Sequence, residues 1–484
     1  MSAEIKNLSP QPVWEYFYAL TQIPRPTGHM EAVTRFMVDF GKGLGLETLQ
    51  DEVGNVLIRK PASPGLEGHK TVTLQSHLDM VPQKNSSVKH DFTKDPIDAY
   101  IEDGWVKARE TTLGADNGMG AAFAMAALAD KTLKHGPLEA LFTINEEVGM
   151  DGAVGLKPGF LKGDILLNCD SEEEGQLFVG CAGGADLNIS MQFKEDTYIP
   201  EGDVAVKVSL TGLKGGHSGV DIHLGRANAN KLMFRFLKEA VGDYGVRLSS
   251  VEGGSLRNAI PREAFTILTI PGDNVEALWE LVSDYQEMYR NEYKGIEEKI
   301  TFIAEMTEMP ATLIPEEIQD DLINAIEGCQ NGVISMLTDF PGTVESSTNL
   351  AIVRSSNELI EIQILVRSSS ESRKDSVCSS LESVFSLAGA KVEYDSAYGG
   401  WQPNINSPIL TIMEQVYEDL YGNKPAVKVM HAGLECGIIQ EAYPVMDMIS
   451  IGPDLEHPHS PDERVSIASV ARTWDFIVAT LGRI

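Results

Sequence analysis

Four short apolar runs in this chain each lead to a side chain that metal ions bind, and this repeated placement limits the folds open to it. The runs are TVTLQSH, LEALFTIN, DILLNC and MDMISIG, and they lead to His77, to Glu146 and Glu147, to Asp170 and to His459. Continuous apolar runs of this kind are typical of buried parallel strands. Because open α/β sheets carry their chemistry beyond the carboxyl ends of the strands, the pattern predicts ligands that meet on one rim of a sheet.

The order of segments predicts an α/β fold with an insertion. Strand-like and helix-like segments alternate in the first part of the chain, which is the βαβ pattern of a mixed or parallel sheet with helices on its faces. From residue 185 the segments alternate apolar and polar residues, as in DVAVKVSL, which indicates a half-buried antiparallel sheet. The prediction is a catalytic domain built from 1–184 and 400–484, with an α+β domain at 185–399 inserted. The Gly-rich VGCAGGAD (179–186) is interpreted as the linker.

Composition excludes several classes of partner. Lys and Arg number 39 against 71 Asp and Glu, and the resulting net charge of −32 repels phosphate backbones, so no nucleic-acid partner is expected. Five scattered cysteines without a C-x-x-C motif indicate reduced thiols and a cytoplasmic protein. The first residues have no signal-peptide pattern, and no apolar stretch approaches the ~18 residues of a membrane span. We therefore expect no membrane association.

Two of the candidate residues have ordinary structural explanations as well as chemical ones. His77 is followed two positions later by Asp79, and a carboxylate commonly orients a metal-bound imidazole, although H-x-D also occurs at plain strand-end turns. Asp116 lies between Gly114 and Gly118 at the start of an Ala-rich segment. Its carboxylate could cap that helix or bridge two metal ions.

The pair Glu146 and Glu147 is the most informative of the candidates. Adjacent carboxylates at a strand end repel each other unless a cation neutralises them, so one could bind metal while the other serves as general base. A solvated loop pair is the alternative. Either His457 or His459 could be a ligand by spacing alone. Imidazole with carboxylates suits Zn²⁺, although Mn²⁺ or Co²⁺ could occupy such a site.

Six motifs, taken together, resemble one family. TLQSHLDMV, TLGADNGMG, TINEEVGMDGA, NCDSEE, LKGGHSGVDIH and the closing HSPDE occur in the order found in the di-zinc aminoacylase and dipeptidase family of metallopeptidases. The resemblance implies a zinc-peptidase catalytic domain with an inserted lid, and two Zn²⁺ per subunit that Mn²⁺ or Co²⁺ could replace. One zinc would be held by His77, Asp116 and Asp170, and the other by Asp116, Glu147 and His459.

The resemblance also implies roles for residues around the metals. Asp79 would orient His77, and Glu146 would be the general base. His459 rather than His457 would be the ligand, and the peptide bond after Asp116 would be cis.

Further residues would contact the substrate. His217 in GGHSG matches the lid histidine that reaches toward the scissile carbonyl, Asn258 in RNAIP a substrate-contacting Asn, and Arg367 in ILVRS an Arg that grips a carboxylate. From the residues alone, a turn His, a turn Asn and a surface-strand Arg remain alternatives. Glu435 lies in HAGLECG, which departs from the family's G-T-D pattern, and is a candidate for meeting the substrate's α-amino group.

The expected function is metal-dependent hydrolysis of dipeptides, preferentially Xaa-His and carnosine-like substrates, by a homodimer that associates through the lid. A bridging water activated by two zinc ions would attack, with Glu146 as general base. One alternative is an amidohydrolase that deacylates N-acyl amino acids on the same metals. Another is a non-catalytic metal-dependent binding protein, which would be expected to lack the base or a ligand.

Overall fold

The computed structural model describes residues 2–356 and 358–484. The chain forms two compact units, and the first comprises the residues up to Cys181 together with Trp401–Val429 and Leu434–Ile484. The second unit comprises Ala182–Gly400 and Met430–Gly433. The domain boundaries predicted from the sequence, 1–184, 185–399 and 400–484, stay a prediction.

The first segment of the first unit contains the elements that precede the insertion. A short 3₁₀ helix at Ser2–Asn7 comes before them. The helices are α1 (Gln11–Thr21), α2 (Glu31–Gly43), α3 (Ala115–Ala129), α4 (Glu146–Gly149) and α5 (Asp151–Val154), and the strands are β1 (Glu47–Gln50), β2 (Val56–Lys60), β3 (Val72–His77), β4 (Ala99–Glu102), β5 (Trp105–Ala108), β6 (Leu138–Thr143), β7 (Ile165–Asn168) and β8 (Gln176–Cys181).

The second unit contains long antiparallel strands and four α-helices among the described residues. The strands are β9 (Gly183–Gln192), β10 (Asp203–Thr211), β11 (Gly216–His217), β12 (Arg247–Gly253), β13 (Ala259–Ile260), β14 (Ala264–Pro271), β15 (Thr301–Met306), β16 (Gly332–Met336), β17 (Val344–Ser356), β18 (Leu359–Ser368) and β19 (Lys391–Tyr398), and the helices are α6 (Ala229–Tyr244), α7 (Val275–Glu292), α8 (Glu316–Gly328) and α9 (Glu371–Leu387). Short 3₁₀ helices lie at Ile222–Leu224 and Gly272–Asn274.

The closing segment completes the sheet of the first unit. Its elements are α10 (Pro408–Tyr421), β20 (Ala426–Met430), α11 (Glu435–Ala442), β21 (Asp447–Ser450), β22 (Leu455–Glu456), β23 (Arg464–Ser466) and α12 (Ile467–Leu481). The eight-stranded sheet has the order β1-β2-β6-β3-β7-β21-β8-β20. Its middle strands β6, β3, β7 and β21 run parallel, whereas β1 pairs antiparallel with β2, β2 with β6 and β8 with β21.

The parallel strands form the centre of the first unit's core. All six residues of β3, all six of β6 and all four of β7 are buried. This burial explains why the sequences of these strands are continuous apolar runs. The helix α3 is buried from Met119 to Leu128, and its alanines and glycines let its backbone come close to its neighbours.

The sheet of the second unit has nine strands, with β15 and β19 at the ends of its main path β15-β10-β14-β12-β17-β18-β9-β19 and β16 paired with β17. Alternating burial along β9 and β14 is the signature of a sheet with one covered face. Helix α6 covers that face with Met233, Phe236 and Leu237, which join the unit's hydrophobic core.

The predicted α/β fold with an inserted α+β unit is confirmed, whereas the interpretation of residues 179–186 as a linker is wrong in its local structure. All of these residues except Ala182 lie in β8 or β9, although the boundary between the two units does fall among them, after Cys181. All five cysteines are buried and none forms a disulfide bond among the described residues, as expected of reduced thiols. Among the described residues, no helix has both the length and the apolar composition needed to span a bilayer.

Two glycines in helices should respond oppositely to replacement by alanine. A Cβ at Gly120 of α3 would lie 2.1 Å from Asn117 Oδ1 and 2.4 Å from the Cys169 carbonyl oxygen, whereas a Cβ at Gly242 of α6 would meet nothing within 4 Å. Gly120→Ala should lower the free energy of unfolding by ~1–3 kcal/mol because it overpacks the contact with the end of β7. Gly242→Ala should raise it by up to ~1 kcal/mol. Urea unfolding of both variants tests this pair, and equal effects would contradict it.

Candidate metal centre

The parallel strands place the predicted ligands side by side. Strand β3 ends with His77, α4 begins with Glu146 three residues after β6, and Asp170 follows β7 by two residues. Because β6, β3 and β7 are adjacent and parallel, their carboxyl ends lie at one edge of the sheet. The neighbouring strand β21 leads to the loop that carries His459.

Asp116 links two groups of metal-type side chains. Its Oδ1 lies 3.1 Å from His77 Nε2, and its Oδ2 lies 3.0 Å from His459 Nε2. His77 Nε2 is also 3.5 Å from Asp170 Oδ1, and His459 Nε2 is 3.0 Å from Glu147 Oε2. The sets His77–Asp116–Asp170 and Asp116–Glu147–His459 therefore each bring their donor atoms within 4.8 Å of one another and share Asp116.

For Asp116 and the two histidines of the last loop, the structure shows which contacts the side chains make. Asp116 does not cap α3, because the N-cap residue is Gly114 and Asp116 has non-helical backbone angles inside the first turn. The Asp116–Asn117 peptide bond is cis, as the resemblance implied. His457 lines a separate cavity with Tyr100 and Lys107, whereas His459 meets the carboxylates.

Asp79 connects the ligand on β3 with the pair of glutamates. Its Oδ1 lies 3.3 Å from His77 Nδ1 and accepts a hydrogen bond from the Glu146 backbone N–H at 3.0 Å. Its Oδ2 accepts from the Glu147 N–H at 3.2 Å and from the Thr27 hydroxyl at 2.9 Å. Asp79 therefore lies against the imidazole of His77 and holds the first turn of α4 with both of its oxygens.

Glu146 and Glu147 occupy different environments. Glu147 contacts His459, whereas Glu146 Oε2 lies 4.0 Å from His77 Nε2. Burial raises the pKa of Glu146 well above its ordinary value, and the nearby carboxylates of Asp170 and Glu147 add to the effect. Burial likewise raises the pKa of Glu147. A carboxyl group with a raised pKa is suited to accept and release a proton near neutral pH.

The pKa values of the two imidazoles are raised, as expected beside several carboxylates. Burial lowers the pKa of His77, but Asp170 and Asp116 raise it, and the pKa lies well above its ordinary value. Hydrogen bonds to Asp116 and Glu147 raise the pKa of His459 to about 11. Burial opposes ionisation of Asp116, but His459 and His77 lower its pKa below the ordinary range.

The residues present fit a pair of divalent cations. Five carboxylates surround two imidazoles here, so the group has a surplus of negative charge that cations would balance. Glu147 Oε1 is buried and has no hydrogen-bond partner among the described residues, so a strong acceptor is left unsatisfied. Two imidazoles with carboxylates form a donor set that Zn²⁺ commonly takes.

The predicted site residues His217, Asn258 and Arg367 lie in the second unit, where they are close to one another. His217 on β11 is paired in register with Ala259 on β13, and the Ser218 N–H donates to the Asn258 carbonyl at 2.8 Å. Arg367 is buried and donates from Nη1 to the Tyr398 hydroxyl at 2.9 Å. A Cβ at Gly219 would lie 3.2 Å from Arg367 Nε and 3.1 Å from His217 Cε1, so all three predicted residues surround residues 218 and 219.

Hydrogen bonds determine the tautomer of His217. Its Nδ1 accepts from the backbone N–H groups of Gly219 at 3.2 Å and Val220 at 3.0 Å. In the neutral ring the proton is therefore on Nε2, which makes that atom a donor.

Glu435 lies in a buried polar network beneath the ligands. It is fully buried at the start of α11, and its Oε2 accepts from Gln75 Nε2 at 2.6 Å and from the Thr143 hydroxyl at 2.8 Å. Gln75 in turn accepts from Asn168 Nδ2 at 2.6 Å. Burial raises the pKa of Glu435 to about 7. The predicted contact with a substrate amino group stays a prediction, and full burial speaks against it.

Several residues near the ligands were not identified from the sequence. Asn117 donates from Nδ2 to Asp170 Oδ1 and, at 2.9 Å, to the Cys169 carbonyl. Glu463, the last residue of HSPDE, accepts from backbone N–H groups next to Asp116. Arg25 is fully buried between the loops. The position of Glu463 inside a recognised motif was a usable signal, whereas nothing in the sequence around Arg25 indicates its contacts.

Metal binding should release protons from this centre. The neighbouring carboxylates raise the pKa values of His77 and His459, so both rings should hold a proton more tightly than a free imidazole does, and a metal ligand must be neutral at the coordinating nitrogen. Affinity for Zn²⁺ should therefore fall as the pH is lowered. Titration calorimetry at pH 7 in buffers of different ionisation enthalpy measures the protons released, and His459→Ala should release fewer. A binding enthalpy that is independent of the buffer would contradict the prediction.

Comparison with known proteins identifies the family. The model of peptidase family M20/M25/M40 matches residues 73–483. The chain is 46% identical over 482 residues to the cytosol non-specific dipeptidase of Escherichia coli, and the alignment covers 100% of this chain and 99% of the relative. The crystal structure of aminoacylhistidine dipeptidase from Vibrio alginolyticus superposes with a TM-score of 0.90 at 47% identity, covering 100% of this chain and 98% of the other. An aminopeptidase from Bacillus cereus shares the fold, with a TM-score of 0.57 at 16% identity and coverage of 98% and 99%. The chain therefore belongs to the M20/M25/M40 peptidase family and is a hydrolase of this metal-dependent group.

Proposed function

We propose that this protein is a dipeptidase that hydrolyses dipeptides, with a preference for Xaa-His substrates such as carnosine. The observation that carries the proposal is the arrangement of Glu146 and Glu147, adjacent in sequence but divided between a place beside His77 and the Asp116–Glu147–His459 donor set. A metal ligand and a free carboxylate next to each other are what metal-assisted hydrolysis of an amide requires.

Two zinc ions would be held by the sets that share Asp116, and Mn²⁺ or Co²⁺ could replace them. When bound, such a pair supplies Lewis-acid polarisation of the scissile carbonyl and a water molecule of lowered pKa. Asp79 keeps His77 oriented through Nδ1, so its Nε2 faces the other donors.

Glu146 would act as the general base. Its side chain is 15% exposed, so it is partly desolvated yet accessible to water. It would accept a proton from the attacking water and then deliver that proton to the leaving amine, a role worth about 10²–10⁴-fold in rate. Its raised pKa makes the carboxylate a stronger base for the first half of this transfer.

The second unit would supply groups that recognise the substrate. His217 presents an Nε2 donor, which suits a developing oxyanion at the scissile carbonyl. Arg367 has a buried Nε without a hydrogen-bond partner among the described residues, and a guanidinium can bind a terminal carboxylate through two hydrogen bonds. Asn258, which is exposed, would contact the substrate with its amide.

The comparisons support a dipeptide substrate and leave the breadth of selectivity to experiment. Two of the relatives described above are named dipeptidases, one as a non-specific dipeptidase and the other as an aminoacylhistidine dipeptidase. The word cytosol in the name of the Escherichia coli relative supports our proposal of a cytoplasmic location.

A homodimer that associates through residues 185–399 also stays a prediction. Strand β15 lies at one end of the nine-stranded sheet and exposes Ile303 and Met306, which would give such a contact an apolar surface. Sedimentation analysis measures this directly.

Replacing the base should separate catalysis from metal binding. Glu146→Gln removes the proton acceptor while leaving both donor sets complete, so kcat should fall by about 10²–10⁴-fold with metal content unchanged. Glu173→Gln, at an exposed position in the same acidic segment as Asp170, is the matched control and should keep kcat. Kinetics with metal analysis of both variants gives the answer. A near-normal kcat in Glu146→Gln would remove Glu146 from this role.

Substrate comparison should distinguish the dipeptidase from the N-acyl amino acid amidohydrolase. Carnosine and Xaa-His dipeptides should be cleaved after chelation and addition of Zn²⁺, Mn²⁺ or Co²⁺, whereas N-acetylhistidine should not. Xaa-Leu and Xaa-Ala dipeptides measure how strongly the C-terminal side chain matters through kcat/KM. Cleavage of the acetylated compound alone would favour the amidohydrolase, and no cleavage with any metal would favour a binding protein.

A further inference from the structure

The carboxylate of Glu463 binds four consecutive backbone N–H groups of another part of the chain. Its Oε2 accepts from Leu113 at 2.7 Å and from Gly114 at 3.0 Å, and its Oε1 accepts from Ala115 at 2.8 Å and from Asp116 at 3.3 Å. Glu463 is 2% exposed. Removing a carboxylate from water is costly, and these donors replace the lost hydration.

The backbone at this point is shaped to converge on one anion. Gly114 has φ 70°, in the left-handed region, which turns the successive N–H groups toward the same side. A Cβ there would lie 2.6 Å from Arg25 Nη2 and 2.7 Å from Met80 Sδ, so glycine is required for space as well as for conformation.

Arg25 holds the carbonyl groups of the same region. Its Nη1 donates to the Leu78 carbonyl at 2.9 Å and to the Asp79 carbonyl at 3.1 Å, and its Nη2 donates to the Gly114 carbonyl. Arg25 therefore ties the loop after His77 to the loop before Asp116, while Glu463 ties the latter to the loop of His459.

Glu463 and His459 belong to one short turn, in which the Glu463 N–H donates to the Ser460 carbonyl at 3.0 Å. When the Glu463 carboxylate is bound to residues 113–116, the chain has little freedom to carry His459 away from Asp116. The observed 3.0 Å contact between His459 Nε2 and Asp116 Oδ2 agrees with this constraint.

We propose that Glu463 is a positioning residue of the metal centre, which holds Asp116 and His459 at coordinating distance before any metal arrives. This inference rests on the proposed two-ion site but requires no substrate. Groups that orient ligands typically contribute about 10–100-fold to metal affinity. Glu463 would do so by binding the backbone N–H of Asp116 and by belonging to the same short turn as His459.

The test compares Glu463→Gln with the same substitution at a buried carboxylate that does not hold a predicted metal ligand. The amide keeps the size of the side chain but replaces one accepting oxygen with a donor that opposes two backbone N–H groups. Glu139 is the matched control, since it is also 2% exposed and accepts from the Lys162 N–H at 2.9 Å and the Gly163 N–H at 3.0 Å, near the opposite end of β6 from Glu146.

Zinc affinity, measured by competition with a chromophoric chelator, should weaken about 10–100-fold in Glu463→Gln and stay at the wild-type value in Glu139→Gln. The rise in unfolding temperature on adding Zn²⁺ should shrink only in the former, although both metal-free proteins lose stability. Wild-type affinity in Glu463→Gln, or equal losses in the two variants, would overturn the proposal.

Hydrogen exchange on the metal-free wild-type protein tests the same idea without a mutation. The backbone N–H groups of residues 113–116 should be protected before zinc is added, because Glu463 already binds them. Exchange as fast as in an unstructured peptide, with protection gained only on adding zinc, would overturn the proposal even if Glu463→Gln does not fold. Neither measurement uses catalysis, so a failed dipeptidase assay would leave this result standing.

Discussion

The structure depends on holding several carboxylates together at one edge of a buried sheet. Asp116 alone contacts two imidazoles. Besides burial, Asp170 and Glu147 raise the pKa of Glu146, and Asp116 raises the pKa values of Glu147 and Asp170. Like charges at this spacing repel, and burial increases the cost of ionisation. Protons balance part of the charge in the metal-free protein and divalent cations would balance more, so the feature that makes the site costly to assemble is also what gives it affinity for metal.

Two kinds of buried carboxylate can be distinguished in the first unit. Asp79 and Glu463 are satisfied by the protein, because backbone N–H groups donate to both oxygens of each. Glu147 keeps one buried oxygen without a hydrogen-bond partner among the described residues. The satisfied carboxylates stiffen the loops, and the unsatisfied one is available to a cation. This division explains how a sheet edge rich in acidic residues can be both ordered and ready to bind.

Much of the fold and of the metal centre could be predicted because the signals are local. A buried parallel strand must be apolar, and the residue that follows it must lie on the rim, so His77, Glu147 and Asp170 follow from short patterns. The prediction of a linker at the Gly-rich segment 179–186 was wrong in local structure because glycines usually mark loops. Here they allow close packing within the second unit: a Cβ at Gly183 would lie 2.5 Å from the Tyr398 carbonyl oxygen.

The sequence by itself determined the order of strands and helices, the acidic character of the site and the residues placed at the ends of the parallel strands, because each depends on neighbours along the chain. Only the tertiary structure decided which side chains meet. His459 and Asp116 are 343 residues apart, and their contact depends on β21 joining the sheet next to β7. The contacts of Arg25 and the burial of Glu435 likewise arise from loops brought together by folding, and no local pattern encodes such distances.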